Sequence, residues 1–202
     1  MASKIAGRTA MKRLVLAALW MMALALSAHA ASDKMTGLAD ATVLIVRHGE
    51  KPDSGPGLSP EGEARAQAYV AYFQPFMLDG VAFRPDMLVA STDSRNSARE
   101  RLTLTPLSQA LKLPIDQRFA DKDVKALVAA LSSETHGKSI LIAWHHGQLG
   151  KLIKAFGADP QALLPNGKWP GDVFNWVVVL RFDQAGHLVP GSARIIEEKL
   201  PG

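Results

Sequence analysis

Ala41-Thr42-Val43-Leu44-Ile45-Val46 runs straight into Arg47-His48-Gly49-Glu50-Lys51-Pro52. The first six residues are an unbroken aliphatic and β-branched run, the pattern of a strand buried on both faces. The next six are charged or turn-forming, so the strand stops where the chemistry starts. A strand of this kind needs parallel neighbours and helices on both sides of its sheet.

The flanking sequence supplies them. Ser59-Pro60 opens a helix, with serine at the N-cap and proline in the first turn, running to about Phe73. Residues 86–90 form a second apolar strand. The Ser91-Thr92-Asp93-Ser94 cluster is expected to open a helix carrying Arg95 and Arg99 on one face, stopped at Thr105-Pro106 before a short further helix ending near Leu111. Residues 113–115 suit a short strand and 121–131 an amphipathic helix. Residues 139–144 repeat the buried-strand pattern and end in His145-His146-Gly147, before a helix over 149–156 closed by Gly157. A long strand over 173–182, a turn at 183–186 and a last strand near 193–197 complete the chain. The predicted fold is α/β: a three-layer sandwich with a mostly parallel central sheet, helices on both faces and an antiparallel C-terminal edge hairpin.

Charge and composition narrow the function. The chain has 202 residues, no cysteine and a formal net charge of +4. Without cysteine there is no disulfide scaffold, thiolate zinc site or cysteine nucleophile. Residues 1–30 hold Lys4, Arg8, Lys12 and Arg13, then a thirteen-residue apolar run from Leu14 to Leu26, then Ala28-His29-Ala30. That is the layout of a cleaved signal peptide, and the run is short of the roughly 20 residues that span a bilayer. The expectation is an exported protein, periplasmic or secreted, whose domain occupies 31–202 without stable membrane insertion. Removing four cations from 23 leaves 19 against 19 acidic residues. The basic balance therefore belongs to the targeting segment and indicates no nucleic-acid partner.

Ligands of open α/β sheets sit at the carboxyl ends of the strands. Three buried strands end here in Arg47-His48-Gly49, in residues 91–99, and in His145-His146-Gly147. Two histidines and two or three arginines should thus face one crevice.

These strand ends resemble the histidine phosphatase superfamily, with its phosphoglycerate-mutase-like fold. Residues 44–50 are similar to its leading R-H-G motif, and Leu58-Ser59-Pro60-Glu61-Gly62 to the helix start that follows it. Arg99 to Thr103, with Pro106-Leu107 and Ala110-Leu111, is similar to its second arginine helix; residues 140–145 are similar to its second histidine strand. Four ordered matches over residues 41–157 are far more specific than one tripeptide.

The resemblance implies a phosphomonoester hydrolase with His48 as phosphoryl acceptor and Arg47, Arg99 and His145 stabilising the charge. Neutral imidazole is a good nucleophile near pH 7, and flanking arginines disfavour its protonated form. Arg95, His146 and Lys51 are weaker substrate-binding candidates. Arg95 competes with Arg99, and His146 with His145. The acid that protonates the leaving group is less evident: Asp121 and Asp123 are the candidates, although both also suit a helix N-terminus. No cofactor is implied. A metal is not expected, because neighbouring strand residues point to opposite faces and His145 and His146 should not share an ion. The substrate would be a small-molecule or peptide phosphomonoester; oligomeric state is unknown. The competing readings are a non-catalytic phosphate- or phosphosugar-binding protein and a structural interaction domain.

Overall fold

The opening aliphatic run becomes β1 (Thr42–Arg47), with all but its first residue buried. The computed structural model describes residues 37–200; the expected export segment, 1–30, lies outside them. Among the described residues no helix is long and apolar enough to cross a membrane.

In chain order the elements are β1, α1 (Pro60–Tyr72), β2 (Phe76–Leu78), β3 (Val81–Phe83), β4 (Met87–Ala90), α2 (Arg99–Leu111), β5 (Ile115–Asp116), α3 (Val124–Ser133), β6 (Ser139–Trp144), α4 (His146–Ala155), α5 (Pro160–Leu163), β7 (Trp176–Arg181) and β8 (Arg194–Glu197). The main sheet has the order β5-β4-β6-β1-β7-β8. β5, β4, β6 and β1 are parallel; β7 is antiparallel to β1, and β8 to β7.

Side-chain alternation divides the core between the two faces of this sheet. Val43, Ile45, Ile140, Ile142, Val178 and Leu180 pack with α3 and α4. Leu44, Val46, Leu141, Ala143, Val177 and Val179 pack with α1 and α2. Each fully buried aliphatic side chain contributes roughly 1.5–3 kcal/mol, so both faces must stay covered. Parallel β1, β4 and β6 bring Arg47, Ala90 and Trp144 to one edge in adjacent registers.

Two sequence expectations are corrected, and one element is added. Arg95 is not helical: it sits in an exposed turn, and α2 begins only at Arg99. The Ser94 hydroxyl accepts from the Asn96 and Ser97 amides at 3.2 and 3.0 Å, which holds those groups out of a helix. Pro106 does not divide the next segment; it lies inside one continuous α2. Burial of Leu104 and Leu107 on either side outweighs the single missing amide donor. The β2–β3 hairpin, turning at Asp79-Gly80 with φ of 54° and 79°, was not foreseen. Its Asp-Gly pair is the readable signal. Asp79 ties it to the sheet through Arg181 and Arg194, at 2.8 and 2.7 Å.

One close approach matters for the site. Gly62, in the first turn of α1, lies so near Glu50 that a β-carbon there would stand 2.8 Å from the Glu50 amide nitrogen. Gly62→Ala must therefore displace the backbone two residues from His48. A shift near 1 Å at a reacting group can cost about 100-fold. We expect Gly62→Ala to lower kcat at least about 10-fold while the far-ultraviolet dichroism stays unchanged.

Candidate active site

Parity along β1 sorts the two residues at its tip. His48 continues the Leu44 and Val46 series toward α2, whereas Arg47 continues the Val43 and Ile45 series toward residues 170–174. Arg47 is 2 % exposed. Its Nη1 donates to the carbonyls of Pro170, Gly171 and Val173 at 3.3, 2.7 and 3.0 Å. Its guanidinium lies 3.6 Å from the Phe174 ring centroid. Burial pushes its pKa down to about 10, opposed by Glu50 and Asp172, so it stays charged at neutral pH.

The His48 ring is equally buried. Its Nδ1 lies 2.7 Å from the Gly49 carbonyl. A carbonyl only accepts, so Nδ1 carries the proton and Nε2 keeps a free lone pair. Burial depresses the His48 pKa to about 3; Arg47, Arg99 and His145 push the same way, and the Gly49 hydrogen bond opposes them. The arginines foreseen as the cause thus contribute less than burial does. The loop is held to α2: the Gly49 amide donates to Thr103 Oγ1 at 2.8 Å, and that hydroxyl donates to the Arg99 carbonyl at 2.7 Å.

Arg99 donates from its two terminal nitrogens to Gly55 and Asn96 carbonyls, each at 3.2 Å. The Nε atoms of Arg47 and Arg99 are buried and have no hydrogen-bond partner within the protein. Beside them stands Glu100, a residue the sequence reading passed over. It is 3 % exposed, takes the Ser97 hydroxyl at 2.8 Å, and places Oε1 4.0 Å from His48 Nε2. The signal was present: Glu100, Thr103, Leu104 and Leu107 form the buried stripe of α2 at i, i+3, i+4, i+7.

His145 and His146 are helix-start residues rather than strand residues. His145 is the N-cap of α4 and accepts the Gly147 amide on Nδ1 at 3.2 Å. Its neutral ring therefore carries the proton on Nε2, available as a donor. The His145 ring stacks 5.7 Å from His48, and the His146 ring lies 6.3 Å from it. Burial, then Arg47 and the other two histidines, depress the His146 pKa to about 4. Its Nδ1 is buried and has no protein partner.

Nitrogens of His48, His145 and His146 all lie within 4.8 Å of one another. The argument that His145 and His146 face apart is thereby overturned, because the helix cap turns both rings inward. Three imidazoles suit a zinc-like ion, whereas the Arg47 and Arg99 charges oppose any cation there.

The remaining candidates divide. Asp121 lines a crevice of about 410 Å³ together with Ser91, Arg99, Glu100, Lys122 and His145. Asp123 is exposed at the start of α3 and is absent from that crevice. Lys51 is exposed, close enough for its charge to act on His146. Arg95 is exposed in its turn and is not among the residues that line the crevice. Behind the loop, Arg65 joins Glu50 at 2.7 Å to Glu198 at 2.5 Å, and Tyr69 donates to Glu198 at 2.6 Å, bracing the segment after His48.

No protein-family model and no curated protein matches the chain. Solved structures do. The SixA protein of Agrobacterium tumefaciens, which carries a phosphohistidine phosphatase designation, aligns with a TM-score of 0.50 at 20% identity over 81% of this chain and 99% of its own. A phosphoglycerate mutase of Plasmodium falciparum gives 0.49 at 14% identity over 80% and 98%. A protein histidine phosphatase SixA bound to tungstate gives 0.48 at 18% over 73% and 92%. The SixA alignment from Agrobacterium establishes the fold: this chain has the phosphoglycerate-mutase-like architecture.

Proposed function

We propose that this protein is a phosphomonoester hydrolase working through a phosphohistidine on His48. The observation that carries the reading is the tip of β1: a buried neutral imidazole with a free Nε2, beside two guanidinium Nε donors that lack protein partners. A buried unpartnered donor costs about 1–3 kcal/mol, and a phosphoryl group would satisfy both. In the first step His48 Nε2 attacks phosphorus, and the bond from phosphorus to the ester oxygen breaks. The leaving oxygen takes a proton from the Glu100 carboxyl. Water then attacks the phosphohistidine; the phosphorus–nitrogen bond breaks, the water proton returns to Glu100, and inorganic phosphate departs. Arg47, Arg99 and the His145 Nε2–H hold the transferring oxygens. Asp121 and Asp93 are the other carboxyls that line this crevice, and Asp93 is held by Arg101 at 2.7 Å.

Hydrolysis of p-nitrophenyl phosphate tests the reading. We expect turnover that vanishes in His48→Ala; phosphate binding with no turnover in either protein would favour the non-catalytic alternative. Glu100→Gln should slow alkyl phosphates about 100-fold, within the usual range for a lost general acid. The phosphorylation burst with p-nitrophenyl phosphate, whose leaving group needs no proton, should change little, while the later water step, which uses the same carboxyl, slows for every ester.

The depressed pKa of His48 also sets a pH profile. An ordinary imidazole is about 97% protonated at pH 5 and so unreactive. With its pKa near 3, His48 remains neutral there. Pre-steady-state phosphorylation at pH 5 should thus stay within about threefold of its pH 7 rate, not fall about 25-fold.

Export is part of the same proposal, supported by the basic, apolar and Ala-His-Ala pattern of residues 1–30. A secreted or periplasmic product beginning at Ala31 is the expected result of N-terminal sequencing.

A further inference from the structure

A second cavity, about 480 Å³, has His146 in its lining. Lys151, Lys154 and Lys168 line it, Trp169 backs it, and no carboxylate contributes to its wall. None of the three lysines forms an ion pair among the described residues, whereas Arg65, Arg101, Arg118, Arg181 and Arg194 all do. The wall follows from α4: positions 146, 147, 150, 151 and 154 fall on one helical face. Gly147 and Gly150 keep that face bare of side chains between the histidine and the lysines. The cavity adjoins the phosphoryl site at two points. His146, with its unpartnered buried Nδ1, belongs to both, and Gly171, which lines the cavity, is a residue whose carbonyl Arg47 Nη1 grips at 2.7 Å.

Building on the phosphatase reading, we propose that this cavity is a second phosphate site and that the substrate is a small-molecule bisphosphate. One phosphate would be transferred to His48 while the other rests among Lys151, Lys154 and Lys168. Helix rise fixes the spacing: Lys151 and Lys154 lie about 7.5 and 12 Å along the α4 axis from His146. The two phosphates must therefore be separated by several bonds, and esters on neighbouring carbons are too short. A cavity of this size suits a small molecule. Exposed lysines bind by compact, screened charge, so the preference must weaken with salt.

Bisphosphates of linear three-, six- and nine-carbon diols, compared with hexyl phosphate, test this. The six-carbon bisphosphate should show kcat/KM at least about 10-fold above hexyl phosphate at low salt, falling toward it at about 0.5 M salt. The double variant Lys154→Gln, Lys168→Gln should lose at least about fivefold of that preference, mainly through KM, with p-nitrophenyl phosphate turnover retained as the control for folding. Turnover of all esters without preference for length or a second phosphate would overturn the proposal alone. An acidic phosphopeptide preferred over every bisphosphate would overturn it too. No turnover of any ester would overturn the phosphatase reading and this one with it.

Discussion

His48→Asn is expected to abolish turnover, by at least about 10⁴-fold in kcat, because no other group can take its place as phosphoryl acceptor. His145 and His146 are near, yet His145 commits Nδ1 to the Gly147 amide, and neither has the Gly49 carbonyl that fixes the His48 tautomer. Asparagine keeps a polar group beside Gly49 without a nucleophilic nitrogen, so the fold should survive. Retained phosphate or vanadate binding in the variant would separate lost chemistry from lost structure. Residual turnover above about 1% of wild type would mean that a different group accepts the phosphoryl.

Arg47→Lys should be nearly as damaging, although it conserves the charge. One guanidinium here meets three backbone carbonyls, lies over Phe174 and still presents a buried Nε inward. An ammonium has three donors at a single point and cannot span that set. We expect kcat/KM to fall about 10³-fold, with loss of oxyanion donation contributing roughly 3–4 kcal/mol to the barrier. The freed carbonyls of residues 170–173 should also lower the urea midpoint. Arg95→Lys, in the exposed turn, should change neither quantity. An Arg95 effect as large as that of Arg47 would move the phosphate site away from the β1 tip.

Why some of this was readable in the sequence and some was not follows from the forces at each place. Residues 43–46 and 140–144 are apolar at every position, and only a strand covered on both faces tolerates that. The parallel sheet and the meeting of Arg47, His48 and His145 at its edge follow from those two runs. Competition between local and tertiary terms was harder to read. The hydroxyls of residues 91–97 look like helix caps, yet Ser94 spends its oxygen on a turn and releases Arg95 to solvent. Pro106 looks like a helix stop, yet Leu104 and Leu107 hold α2 together across it. Glu100 is hard to read because an acidic residue in a first turn ordinarily faces water; here its place in the Thr103, Leu104 and Leu107 stripe turns it toward His48. The directions of the paired histidines are not legible, because strand parity sends neighbouring residues to opposite faces, whereas past Trp144 it is the cap of α4 that sets both rings.

Alkali-quenched, millisecond mixing with ³²P-labelled phosphomonoester tests the central claim most directly. The account predicts a burst of protein-bound label, stable in alkali and lost in acid, that maps to the peptide containing His48 and disappears in His48→Asn. Turnover with no such burst, or label that maps to any other residue, would contradict it.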